Sequence, residues 1–163
     1  MTLTVGTNTY ATLAEADAYA ATRSWAATWA ALADAVREQR LADAAIYLDT
    51  SYTWKGQIAD EDQVMSWPRV LVRDKEGRLI ASDAYPTVLK YAQVELAYLA
   101  SAALVTNESA GQVTALTAGS VSLTFKDSQT ASEASKYRSI DRLLTGLYIS
   151  RAGSVRNIPL LKG

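Results

Sequence analysis

Apolar residues recur at helical spacing over most of the chain and at strand spacing over two short stretches. Thr12-Leu13-Ala14-Glu15 has the form of a capping box, in which Thr12 accepts from the Glu15 amide while Glu15 reaches back, and it predicts a helix over 13–22. Ser24 to Ala33 is alanine-rich and carries Trp25 and Trp29 four residues apart, which predicts a short helix with both indoles on one side. Asp34 is placed to cap a stronger helix over 35–50, with Leu41, Ala44, Ala45 and Leu48 inward and Arg37, Glu38 and Arg40 opposite. The clearest helix starts at Pro86 and runs to about 106. Leu89, Ala92, Leu96, Leu99 and Ala103 form one seam, and Tyr91, Val94, Tyr98 and Val105 form a second, interrupted by Lys90, Gln93 and Glu95. A helix apolar on two sides is central or shared between subunits. A second capping box, Thr130-Ala131-Ser132-Glu133, opens a last helix to about Ala152, with Tyr137, Ile140, Leu144 and Leu147 inward and Gly153 as its C-cap.

Between the helices the period breaks. SYTWKGQIADEDQVMSWPRV, with Gly56 and Pro68, reads as a long ordered loop, and Pro68 suits the entry to an edge strand. Val70-Leu71-Val72 and Arg78-Leu79-Ile80 flank Asp74-Lys75-Glu76-Gly77, a turn with glycine where positive φ is needed, and predict a hairpin. Val113, Ala115 and Thr117, then Val121, Leu123 and Phe125, alternate with small polar residues around Ala118-Gly119-Ser120 and predict another. The fold class expected is mainly α: a small helical bundle of four to five helices, one or two β-hairpins, and an extended C-terminal tail. A single domain would span 1–153, with the hairpins about 69–80 and 113–125 as arms and 154–163 as the tail.

Composition narrows the chemistry. The chain has 163 residues, with neither cysteine nor histidine, which excludes disulfides, thiolate nucleophiles, the usual zinc sites and the commonest proton-transfer group. Its eight glycines form no phosphate-binding loop, and no serine stands in a nucleophile elbow, so no enzyme, no cofactor and no metal are expected. Asp60-Glu61-Asp62 with Gln63 lacks the spacing of a calcium loop and reads as a solvated turn. The N-terminal MTLTVGTNTY has no signal-peptide pattern, and the 86–106 helix is too polar for a membrane span. Net charge is −1, without the basic excess usual in nucleic-acid binders. The charge is unevenly spread: residues 1–62 hold nine acids against four bases, and residues 63–163 eight acids against twelve bases.

The order Tyr10-Ala11-Thr12-Leu13-Ala14-Glu15-Ala16-Asp17-Ala18-Tyr19, then Ala45, Tyr47-Leu48-Asp49, Tyr52, Trp54-Lys55-Gly56, Gln63, Trp67-Pro68-Arg69, the Asp74–Gly77 turn and Pro86, resembles a family of small tailed-bacteriophage structural proteins. The likeness covers about residues 8–105, and Trp-Lys-Gly and Trp-Pro-Arg are its most specific pieces. Some members carry the label DnaT-like single-stranded DNA-binding protein, and related folds are known as head-tail connectors, adaptors or head-completion proteins. The resemblance implies a virion protein at the head-tail interface, assembled in the host bacterial cytoplasm. It further implies a homo-oligomer, a dodecameric ring under the portal protein, joined to a tail terminator, stopper or tail-tube protein, with double-stranded DNA passing through its channel without sequence-specific recognition.

A partner interface is expected at Trp54, Trp67, Arg69, Arg73, Lys75 and Arg78, at Val121, Leu123 and Phe125 of the second hairpin, and at Arg156, Ile158, Leu160 and Leu161 of the tail. The competing expectation is a single-stranded DNA-binding protein of phage replication. In it Trp25, Trp29, Trp54 and Trp67 stack bases, while Arg69, Arg73, Lys75 and Arg78 follow phosphates. For the tryptophans, burial in the core or an interface is the stronger expectation.

Overall fold

The computed structural model describes residues 2–99, 115–118, 121–124 and 137–151. Among these are five helices: α1 (Leu13–Ala20), α2 (Ala26–Ala30), α3 (Asp34–Ser51), α4 (Thr87–Leu99) and α5 (Arg138–Leu143). Six short strands accompany them: β1 (Tyr52–Trp54), β2 (Gln57–Ile58), β3 (Arg69–Val70), β4 (Ala115–Ala118), β5 (Val121–Thr124) and β6 (Tyr148–Arg151). The class is mainly α with small antiparallel pairs, as the hydrophobic pattern predicts. No described helix is long and apolar enough to cross a membrane.

The core forms around α4, which packs on α1, α3 and α5. Every residue from Ala92 to Ala97 is buried, so one helix supplies the centre of the molecule. On α3 the predicted stripe of Leu41, Ala44, Ala45 and Leu48 is fully buried against it. Helix α1 begins at the predicted capping box, with Thr12 and Glu15 bonded reciprocally. Helix α3 differs in detail from the expectation: Ala33 is its N-cap, and Asp34 is its first residue, ion-paired to Arg37 at 2.6 Å. Leu99, expected in the seam, is 46% exposed.

The largest departure lies at the C-terminal end. A continuous helix to 152 is predicted, yet α5 stops at Leu143 and the chain turns through Leu144–Leu147 into β6. Gly146 has φ +97°, and a Cβ there would lie 3.0 Å from the Lys75 amide nitrogen, so only glycine lets this turn seat against the 74–75 backbone. Strand β6 then pairs with β1, Tyr52 opposite Arg151 and Trp54 opposite Tyr148. The unpaired edge of β1 decides the conformation over local helical spacing. Ile140, Leu144 and Leu147 are still buried, as expected.

The 54–80 region also pairs differently. Strand β3 lies antiparallel to β2, with Gln57 opposite Val70 and Ile58 opposite Arg69. The predicted 69–80 hairpin is present in short form: Arg73 bridges Leu79, the Ile80 amide donates to the Val72 carbonyl and the Asp74 amide to the Arg78 carbonyl, both at 2.9 Å, and the 74–77 turn, where Gly77 has φ +82°, closes it. Strands β4 and β5 form the second hairpin, with Ala118 opposite Val121. The side chains of Val121 and Leu123 lie outside the described residues. So do Phe125, Arg156, Ile158, Leu160, Leu161, the second capping box and Gly153.

Candidate nucleic-acid interface

Three of the four tryptophans are not available to a ligand. Trp29, Trp54 and Trp67 are 1%, 5% and 0% exposed, and Trp54 and Trp67 meet edge to face at 5.9 Å inside the core. This corrects the expectation of Trp54 and Trp67 as interface or base-stacking residues: neither indole shows a free face. Trp29 donates its Nε1–H to Asp17 at 2.7 Å. Trp25 is half-buried, its ring stacked on Tyr98 at 4.2 Å and 7°.

The basic residues of the 69–80 segment are largely engaged by their own backbone. Arg69 donates Nε–H to the Lys55 carbonyl (2.7 Å), Nη1–H to Ser66 (3.0 Å) and Nη2–H to Gly56 (2.9 Å), so its guanidinium holds a loop together. Its partial burial lowers its pKa from the ordinary arginine value. Arg73 donates to the Gly77 carbonyl at 2.7 Å. Asp74 takes the amides of Glu76 and Arg78 and the Arg78 guanidinium. The Arg78 amide, the guanidinium and the Glu76 amide together hold this carboxyl below the usual range. Lys75 is 69% exposed at the side chain and stands 3.8 Å from Glu76. The segment is therefore a self-paired turn, and Arg69 in particular is removed from the list of phosphate contacts. Gln63 in the acidic loop caps the amides of Ala59 and Asp60.

A different set of side chains is open to solvent. The ring of Tyr91 on α4 stacks on Tyr19 of α1 at 4.2 Å and 21°, while Tyr91 stays 38% exposed. One helical turn before it, Val88 is 37% exposed. Tyr91 and Tyr98 are seven residues apart, so both rings stand on the same side of α4, about 10.5 Å apart along its axis. Tyr19 and Trp25 come to them from α1 and from the residue preceding α2. Between the two stacks lies Glu95, almost buried, which accepts the Tyr19 hydroxyl at 2.8 Å and pairs with Arg23 at 2.5 Å. The Arg23 guanidinium also lies 5.4 Å from the centre of the Tyr19 ring. Burial, and then the Glu95 carboxylate, push the Tyr19 hydroxyl up to about 12, so it stays a donor at neutral pH.

Between α1 and α4 a groove of about 430 Å³ opens, lined by Ala11, Glu15, Ala18, Tyr19, Thr22, Thr87, Lys90, Tyr91 and Val94. Alanine at 11 and 18 leaves space that larger residues would fill. At the rim, Lys90 pairs with Glu15 Oε1 at 2.6 Å, while Glu15 Oε2 takes the Thr12 amide at 2.8 Å. Partial burial pushes the Glu15 carboxyl up, but Lys90 and the Thr12 groups outweigh it and hold the carboxyl below its ordinary value.

The spacing of apolar residues places Tyr91 and Tyr98 in an apolar stripe, and the tryptophans are the stacking surfaces it offers. The overlooked signal is the aromatic make-up, nine tyrosines against one phenylalanine. Tyrosine is the aromatic suited to a half-wet position.

The chain thus defines a mainly α protein with an open aromatic groove between two helices and, among its described residues, no group of acidic side chains that could hold a metal ion. A family model described as "Putative DnaT-like ssDNA binding protein" matches residues 2–162, and the chain belongs to that family. No curated protein and no solved structure gives a significant match. The family match overturns the expected head-tail connector: the description that spans the chain is of DNA binding, not of a virion joint.

Proposed function

We propose that this protein binds single-stranded DNA and performs no chemistry on it. The observation that carries this reading is the family match over residues 2–162. The α1–α4 surface supports it with what a sequence-tolerant binder of unpaired strands uses, namely an exposed aromatic ring, that of Tyr91, beside cations. A base offers its π-face to such a ring only when it is out of the duplex stack, so this surface favours single strands.

Charge sets the character of the binding. The two cations at the surface, Arg23 and Lys90, are each ion-paired, and the whole chain carries −1. Affinity then rests on stacking more than on counterion release. With two phosphates neutralised, log K falls with log salt at a slope of about −1.4, from roughly −0.7 per phosphate on a single strand.

The test is an anisotropy titration of a labelled oligo-dT and of a duplex of equal length, each at two ionic strengths. The oligomer is expected to bind more tightly than the duplex and with a shallow salt slope. Absence of oligomer binding, or a preference for duplex, would falsify the reading.

A further inference from the structure

We infer that the groove between α1 and α4 is a subsite for one unpaired nucleotide, with the base on the Tyr91 ring and its phosphate at Lys90 in competition with Glu15. The inference rests on the single-stranded DNA reading and assigns it a place. Its volume, about 430 Å³, falls toward the lower end of small-ligand clefts, and its alanine floor leaves the Tyr91 ring reachable from the groove. Tyr19 backs the ring at 4.2 Å, so the ring is braced and little order has to be imposed when a base arrives.

Glu15 carries the second half of the argument, because its two oxygens do different things. Oε2 belongs to the capping box of α1, accepting from the Thr12 amide and hydroxyl, whereas Oε1 holds Lys90. A phosphate can replace Oε1 at the ammonium without opening the cap. Until it does, the carboxylate is an internal competitor of the same sign and hydrogen-bonding type as the ligand. Rejection of a bare phosphate, and acceptance of one that arrives with a base to stack, follows from this pairing.

Three substitutions separate the parts. Tyr91→Ala removes the ring from a partly exposed position, and Tyr91→Phe keeps the ring while losing the hydroxyl. Glu15→Gln removes the competing charge, yet glutamine at this position still completes a capping box. In oligo-dT titrations at two salt concentrations, Tyr91→Ala is expected to weaken binding roughly 5- to 150-fold, the worth of one stacked base, and Tyr91→Phe to bind as the parent does. Glu15→Gln is expected to tighten binding roughly 2- to 5-fold at both salt concentrations. Thermal melts of all three variants verify that they are folded.

If the parent binds oligo-dT and Tyr91→Ala binds equally well, the subsite is wrong while the single-stranded DNA reading stands. Unchanged or weaker binding by Glu15→Gln overturns the competition at Lys90. If the parent binds no oligo-dT at either salt concentration, the functional reading itself fails, and the subsite with it.

Discussion

Gln93 is fully buried in the middle of α4, yet every hydrogen-bonding position of its amide is used. Its Oε1 accepts from the Tyr10 and Ala11 amides, both at 3.0 Å, and its Nε2 donates to Thr9 Oγ1 at 2.7 Å and the Leu41 carbonyl at 2.8 Å. One side chain thereby ties the N-terminal segment and α3 to the central helix. In the sequence it reads as a polar interruption of an apolar stripe. Periodicity cannot distinguish a polar residue that faces water from one whose partners lie more than fifty residues away. Gln93→Leu keeps similar bulk but strips the Tyr10 amide of its partner, leaves the Ala11 amide only Thr9 Oγ1 at 3.3 Å, and takes one bond from the Leu41 carbonyl, which lies within α3. At about 1–3 kcal/mol for a buried group left unsatisfied, with the other lost bonds adding less, a loss of roughly 2–4 kcal/mol is expected, a sizeable share of a domain's total stability. Urea denaturation measures it, and a loss below about 1 kcal/mol would show that the hub is dispensable.

At the scale of elements, the two most specific sequence motifs turn out to build one loop. In Trp54-Lys55-Gly56 the indole enters the core, and Gly56, at φ +70°, brings the backbone against β3. In Trp67-Pro68-Arg69 the indole is again core, and Arg69 reaches back to the carbonyls of Lys55 and Gly56. These motifs are legible because they are structural, and for the same reason they do not mark the site. Helices α1 and α3 are equally legible, from a capping box and an inward stripe. Strand β6 is not, since four residues take their conformation from β1, nearly a hundred positions earlier. The groove was hidden for a related reason: spacing reveals the second stripe of α4 but not that α1 covers only part of it, leaving Tyr91 in the open. Two glycines test the loop. A Cβ on Gly56 would lie 2.2 Å from the Val70 carbonyl oxygen, while one on Gly77, also at positive φ, meets nothing within 4 Å. Gly77→Ala should therefore lose only the left-handed strain, about 1–2 kcal/mol, and Gly56→Ala that strain plus a backbone clash, roughly 2–5 kcal/mol. Equal melting temperatures for the two variants would contradict this account of the loop.

For the molecule as a whole, Asp49 joins three regions that are distant in sequence. It accepts the Tyr10 hydroxyl from the N-terminal segment and the Ser66 amide from the 59–68 loop at 3.0 Å, while itself standing on α3. Burial raises its pKa, and the bonds from Tyr10 and Ser66, with the charge of Arg69, offset that only in part. Burial, reinforced by Asp49, likewise keeps the Tyr10 hydroxyl protonated far above its ordinary range. The sign of the pH effect follows from proton linkage. The folded protein holds the Asp49 proton more tightly than the unfolded chain, so this group's contribution to stability is fullest below the ordinary carboxylate value of about 4. It is lost as pH rises through that value and on through the raised folded pKa. Glu15 and Asp74, both lowered, act in the opposite sense: their contributions are present above the ordinary value and fade as pH falls. Global melting therefore reports a difference between opposed terms, and Asp49→Asn isolates one of them. Asparagine retains an oxygen to accept from Ser66 and an amide to donate to Tyr10, but it has no charge to desolvate. The melting temperature of Asp49→Asn relative to the parent should accordingly be higher at pH 7 than at pH 4, whatever the fixed effect of the amide. Thermal melts of both proteins across that range measure the gap, and a gap that stays constant or closes with rising pH would mean that the buried carboxylate is not what couples this fold to pH.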